Sequence, residues 1–189
     1  MQKDIAYLIE PLERTLEAKF TFLSEALTEP GFAVMPNFLS PALALTLATE
    51  VQAHWRAGAF RPAGVGRGAG WVQRPDIRSD EVFWVEGSDP SPALATVLSK
   101  LDALKQHLNL NYTLFAGLED FEVHMARYGR GAFYARHIDQ FEDTTRRAMS
   151  VVLYLNHQWR SQDGGALRLW TTPAPGRQAP NGKTPFIEV

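Results

Sequence analysis

The spacing of apolar positions changes period part-way along the chain. Over residues 3–28, Ile5, Leu8, Ile9, Leu12, Leu16, Phe20, Leu23 and Leu27 recur at steps of three and four. That spacing predicts a helix with one buried stripe, which Pro11 kinks or restarts and Pro30-Gly31 ends. Phe32 to Phe38 predicts a short strand. Ser40-Pro41 reads as an N-cap followed by proline at the first helical position, so a second helix runs to about Ala57 with Leu43, Leu47, Val51 and Trp55 on its face. Val82 to Val85 is an apolar strand and Asp89-Pro90-Ser91-Pro92 a turn. Ala93 to Leu108 is a third helix, striped by Leu94, Val97, Leu98, Leu101, Leu104 and Leu108. From Asp120 the period drops to two. Phe121–Tyr128, Ala132–Ile138, Met149–Leu155, Ala166–Thr171 and Phe186–Val189 are strand candidates, with turns at Gly129-Arg130-Gly131 and Asp163-Gly164-Gly165. No internal repeat or low-complexity tract interrupts them. Helices followed by a run of strands predict an α+β fold, with helices packed on one side of a β-sandwich or jelly roll.

Length and composition narrow this picture. At 189 residues the chain is read as one domain, with helical support over about 1–110 and a strand-built core over about 119–189. The net charge of −2 gives no basic field for nucleic acid or an anionic membrane. With no cysteine in the sequence, any metal site has to use His and carboxylates. Asp4, Glu10 and Glu13 break up residues 1–13, so neither a signal peptide nor a membrane span is expected there, and a cytoplasmic location is. Residues 63–70, Ala-Gly-Val-Gly-Arg-Gly-Ala-Gly, lie among Arg61, Arg67, Arg74 and Arg78. A phosphate-cradling loop needs a strand before it and a helix after it. Here a helix precedes and a strand follows, which leaves a mobile surface loop or a lid over a substrate.

The candidate chemistry centres on Tyr128 to Asp139, and within it on His137-Ile138-Asp139. Residues two apart on a strand share a face, so His137 and Asp139 can aim an imidazole and a carboxylate at one point. A third ligand would complete a 2-His-1-carboxylate triad that leaves positions open on Fe(II) for a cosubstrate and oxygen. His-x-Asp alone recurs by chance. Parity places His124, Ala126 and Tyr128 on one face, where His124 is either an edge histidine or a pocket residue. It also groups Ser150, Val152 and Tyr154, whose phenol can donate to an anionic cosubstrate. Leu167 and Leu169 supply apolar wall, with Arg168 pointing away. His54 and His107 read as helix-surface residues, and His157 as a loop residue.

Four blocks give these positions a context: Ile77-Arg78-Ser79-Asp80 leading to Phe83-Trp84-Val85-Glu86-Gly87; Tyr128 to Asp139; Val151 to Asn156 followed by Trp159; and Gly164 to Leu169. In order and spacing, over roughly residues 30–189, the chain resembles the prolyl-hydroxylase branch of the 2-oxoglutarate/Fe(II) dioxygenases, of the Egl-nine type that includes the hypoxia-inducible-factor prolyl hydroxylases and bacterial relatives. The resemblance implies a double-stranded β-helix (jelly roll) with supporting N-terminal helices. It implies His137 and Asp139 as iron ligands, Tyr128 and Tyr154 as contacts to 2-oxoglutarate, and Leu167 as a wall of that pocket. Arg78 and Asp80 fall in a mobile loop over the peptide substrate. Arg147 matches a basic position near the cleft that can pair with Asp80, and Tyr134 and Arg136 line the substrate side. The implied reaction couples decarboxylation of 2-oxoglutarate, giving succinate and CO2, to hydroxylation of a prolyl residue. The implied cofactors are Fe(II), 2-oxoglutarate and O2, with ascorbate as a candidate reductant. The implied partner is a proline-containing protein or peptide, such as a translation factor.

The family pattern continues past a strand like Phe186–Val189 with two more strands of ~5–6 residues. The first leads to the second iron-binding His, and the second carries the Arg that pairs with the far carboxylate of 2-oxoglutarate. No His or Arg follows Arg177 in this sequence. The expectation is therefore a jelly roll with its last strands missing, with exposed edges open to self-association. Three accounts stay open: a truncated product, strands supplied by a partner chain, or a shortened, non-catalytic peptide-binding or regulatory member. A metal-free sugar-binding jelly roll leaves His-x-Asp and the two tyrosines unexplained.

Overall fold

The computed structural model describes residues 16–28, 31–66, 68–85, 90–110, 117–139, 148–170 and 186–188. The chain divides into two compact units. One comprises Met1–Phe38, Asn111–Phe115 and Gln158–Val189, and the other Leu39–Leu110 and Ala116–His157. Both mix helix and sheet.

In the first unit, α1 spans Leu16–Thr28. Its Phe20, Ser24 and Ala26 are buried, and Ser24 satisfies its hydroxyl on the Phe20 carbonyl at 3.0 Å. The part of the expected helix that holds Pro11 lies outside the described residues. The same unit holds the two-stranded ladder of β4 (Arg168–Trp170) and β5 (Phe186–Glu188). It is antiparallel, pairs Leu169 with Ile187, and is tied by Arg168 to Glu188 at 2.8 Å. Before β4, Gly164 and Gly165 take positive φ, which only glycine adopts cheaply. The Trp159 indole NH donates to the Gly164 carbonyl at 2.7 Å.

In the second unit, α2 covers Pro41–Arg56 and is capped as its sequence predicts: the Ser40 hydroxyl accepts from the Leu43 NH at 3.3 Å. The strands β1 (Arg61–Pro62), β2 (Glu81–Trp84) and β3 (His124–Arg127) form one antiparallel sheet in that order, with Trp84 opposite His124 and Glu81 opposite Arg127. Between β2 and β3 runs α3 (Pro92–Leu110), which buries Leu94, Val97, Leu104 and Leu108. Each contributes about 1.5–3 kcal/mol by leaving water. The Ser91 hydroxyl caps α3 by accepting from the Leu94 NH at 3.1 Å and donates to Glu50 of α2 at 2.7 Å. His54 of α2 lies on the Phe83 ring at 4.7 Å. Trp55 and Arg127 both donate to one oxygen of Glu81, at 3.1 and 3.0 Å, and the guanidinium covers the indole at 3.9 Å. α2 is therefore fastened to the sheet face that carries Glu81, Phe83 and Arg127.

Three expected strands do not form ladders among the described residues. Phe32–Phe38 contains a single bridge position. Ala132–Ile138 makes one isolated bridge, Tyr134 to Arg78. Met149–Leu155 is irregular, with Val151, Val152 and Tyr154 each at least half exposed. An alternating pattern gives a segment two faces, but a strand also needs a bonded neighbour. The glycine-rich segment, in contrast, is built: Val65 and Val72 exchange both backbone hydrogen bonds at 2.9 Å, around a short 3₁₀ turn at Gly68–Gly70. A side chain at Gly64 would meet the Trp71 ring at 2.4 Å, and one at Gly66 the Gly70 carbonyl oxygen at 2.3 Å. Gly64 and Gly66 are there because the hairpin folds tightly onto itself, and no helix follows to hold a phosphate.

Candidate active site

In the second unit, residues 77–80 run beside residues 133–135. The Ser79 NH donates to the Phe133 carbonyl at 2.9 Å, the Phe133 NH to the Ser79 hydroxyl at 3.1 Å, and the Ala135 NH to the Ile77 carbonyl at 2.7 Å. A turn with Gly131 at φ 79° and Ala132 bonded back to Gly129 leads into the second of these segments. This pairing brings most of the residues singled out above to one place.

Asp80 has a fully buried side chain, and Arg78 grips it with two parallel bonds, Nε to Oδ1 at 2.8 Å and Nη2 to Oδ2 at 2.6 Å. Burial works against the Arg78 charge, but the hydrogen bonds and charge of Asp80 outweigh it and hold the guanidinium pKa above its ordinary value. Arg147, the partner expected for Asp80, lies outside the described residues. The Arg78 guanidinium covers the Tyr134 ring at 4.1 Å, and the Tyr134 ring stacks on the His137 imidazole at 3.6 Å and 14°. Tyr128 lies in the same neighbourhood. Burial, reinforced by the Asp80 carboxylate and partly offset by Arg78, pushes its phenol up to about 12, with Tyr134 and Tyr154 adding to the shift. Tyr128 is thus a neutral donor at any ordinary pH. Arg136 is exposed. Leu167 lies in the first unit, 37% exposed.

His137 and Asp139 meet as their spacing predicts. The imidazole Nε2 is 2.9 Å from Asp139 Oδ1, and Nδ1 is 2.7 Å from the Ala135 carbonyl. A carbonyl only accepts, so Nδ1 carries the hydrogen, and Nε2 is the ring atom turned toward a carboxylate oxygen. Two lone pairs at that distance repel unless a positive charge, a proton or a metal ion, lies between them. The Ser150 hydroxyl donates to the other oxygen, Asp139 Oδ2, at 2.5 Å, which leaves Oδ1 as the inward atom. Each donor is oriented by a hydrogen bond on its outer side, the arrangement metal-binding His and carboxylates use. The pair fits an N/O-ligated divalent ion such as Fe(II) as two of its ligands. Among the described residues no group of three or more His, Cys, Asp or Glu gathers that could complete the set. His124 packs instead against Trp84 at 4.8 Å.

Comparison with known proteins agrees with this geometry. Residues 123–185, which contain both donors, match the family described as the 2OG-Fe(II) oxygenase superfamily. The crystal structure of a Pseudomonas putida prolyl-4-hydroxylase is 31% identical with a TM-score of 0.69, over 90% of this chain and 80% of that one. The chain belongs to the 2OG-Fe(II) oxygenase superfamily. Within that superfamily it is 25% identical to human Egl nine homolog 1 over 92% of its own length. It is 27% identical to the hypoxia-inducible factor prolyl hydroxylase of Caenorhabditis elegans over 77%. It spans 39% and 21% of those two relatives. Membership implies Fe(II), 2-oxoglutarate and O2 as the family's chemistry.

Sequence reasoning missed two parts of this oxygenase site. Parity groups Ser150 with Tyr154 but gives it no role, and the structure shows its hydroxyl donating to Asp139. The stack of Arg78, Tyr134 and His137 had no signal at all, because it depends on two distant segments lying side by side.

Proposed function

We propose that this protein is a 2-oxoglutarate- and Fe(II)-dependent oxygenase that hydroxylates a prolyl residue in a protein or peptide, on a double-stranded β-helix, with release of succinate and CO2. The observation that carries this reading is the oriented pair: His137 held from behind by the Ala135 carbonyl, Asp139 held by Ser150, and the inner atoms 2.9 Å apart. When bound, the iron with 2-oxoglutarate and oxygen supplies the oxidising power. The chain's own residues bind and orient. His137 and Asp139 hold the ion. The neutral phenol of Tyr128, and Tyr154 beside it, offer O–H donors to a carboxylate of the cosubstrate without adding negative charge. The likeness to the prolyl hydroxylases of Caenorhabditis elegans and Pseudomonas putida supports proline as the residue modified.

The direct test is succinate formation by the 189-residue chain with Fe(II), 2-oxoglutarate, ascorbate, oxygen and a proline-bearing peptide. Succinate at or below a no-iron blank would remove the catalytic reading, and His137→Ala retaining full output would remove this site from it. A non-catalytic, peptide-binding member of the family would retain peptide affinity in His137→Ala, measured by calorimetry, while giving no succinate.

A further inference from the structure

Resemblance alone places Arg78, Asp80 and Tyr134 on the substrate side. Their geometry gives them another task. The His137 centroid lies 3.6 Å from the Tyr134 centroid in a nearly parallel plane, and the Arg78 guanidinium carbon lies 4.1 Å from the same centroid. Two groups that close cannot share one face without overlapping. The tyrosine ring is therefore filled on both faces, by a cation on one and an imidazole on the other, and has no face left for a peptide. The cation is itself fixed, since both oxygens of a fully buried carboxylate hold it. The backbone agrees, because the Ala135 carbonyl that holds His137 Nδ1 belongs to a residue whose NH is bonded to Ile77.

From this we infer that Tyr134 is a positioning residue for His137, set in place by Arg78 and Asp80, and that residues 77–80 act on the metal ligand rather than only on substrate. The inference rests on the reading of His137 as a metal ligand. The stack has a chemical preference. Parallel phenol and neutral imidazole faces this close repel through their quadrupoles. A positive charge on the imidazole side, as metal ligation provides, converts that repulsion into attraction, and Arg78 supports the tyrosine from behind. The sandwich therefore holds the ring in the orientation the ion needs and favours the loaded state.

The test needs both a metal-free and a metal-bound readout, on the whole chain. Long-range nitrogen–proton spectra of metal-free protein report the His137 tautomer. A hydrogen fixed on Nδ1, where the Ala135 carbonyl accepts it, is expected in the native chain and in Tyr134→Phe, which keeps the ring. Tyr134→Leu should show an averaged tautomer. Titration with Co(II), followed by the shifted imidazole resonances, should give Tyr134→Phe within about two-fold of native and Tyr134→Leu about ten-fold weaker, the size typical of lost support behind a ligand. If Tyr134→Leu does not fold, Arg78→Lys keeps the charge but not the flat guanidinium, and should also lose the single tautomer. Native-like tautomer and Co(II) affinity in whichever of Tyr134→Leu and Arg78→Lys folds would overturn the inference. Failure of Co(II) to shift His137 in the native chain would overturn the metal-ligand reading instead, while the metal-free spectra still decide whether Tyr134 positions the ring.

Discussion

Asp80 is a carboxylate with no exposed side-chain surface, both of whose oxygens face one guanidinium. Asp80→Asn keeps the shape and removes the charge, which leaves Arg78 mostly buried without its counter-ion. A buried pair broken on one side costs roughly 3–5 kcal/mol, so urea unfolding should show a loss of about 3 kcal/mol; a loss near zero would mean that solvent or another group takes over. Tyr128 gives a pH signature. Its phenol moves from 10.0 to about 12, chiefly through burial, so the folded state holds that proton more tightly than the unfolded chain does. Its contribution to stability is complete below pH 10 and is lost as pH climbs toward 12. Tyr128→Phe should flatten that part of the stability–pH curve, and an unchanged slope would place the titrating group elsewhere. His137-x-Asp139 was legible as a pair in the sequence, because residues two apart in extended chain face one way; the Arg78–Asp80 pair was not, since Arg147 had been the partner expected for Asp80. Tyr134 as the piece between them was not, since its partners Arg78 and His137 become neighbours only after folding.

At the scale of elements, helices were read more closely than strands. A helix closes its hydrogen bonds within itself, so Ser40, Pro41 and the stripe from Leu94 to Leu108 were enough to place α2 and α3. Residues 132–138 and 149–155 carry equally clear alternation, yet their state depends on what lies alongside, which no local pattern encodes. In the glycine-rich hairpin, composition alone gave no structure, while packing explains Gly64 and Gly66. Gly66 has φ +85° and its missing side chain would lie 2.3 Å from a backbone oxygen. A side chain at such a φ costs of order 1–3 kcal/mol, and the clash with main chain adds to it. Gly66→Ala should therefore lower the urea midpoint clearly, whereas Gly68→Ala, with nothing near its position, should cost only its positive φ. Equal effects of the two substitutions would show that the Gly66–Gly70 contact contributes nothing.

For the molecule as a whole, large apolar side chains stay exposed: Trp84 at 44%, Val152 at 57% and Trp159 at 45%. Apolar surface on that scale associates. Sedimentation velocity should find the average mass rising with concentration, and Val152→Lys should reduce the rise; a monomer at every concentration would count against self-association. No helix among the described residues is long and apolar enough to cross a membrane. The bond from Phe133 to Ser79 spans 54 residues of chain, and the whole site hangs on that contact. Loop closure over such a distance is paid before any local reward arrives. Residues 77–80 thus come to lie beside the Tyr134–His137 segment only once that loop has closed, whereas His137 meets the Ala135 carbonyl within its own segment. A chain still emerging from the ribosome therefore carries the His137–Asp139 pair without the Arg78–Asp80 support that folding adds.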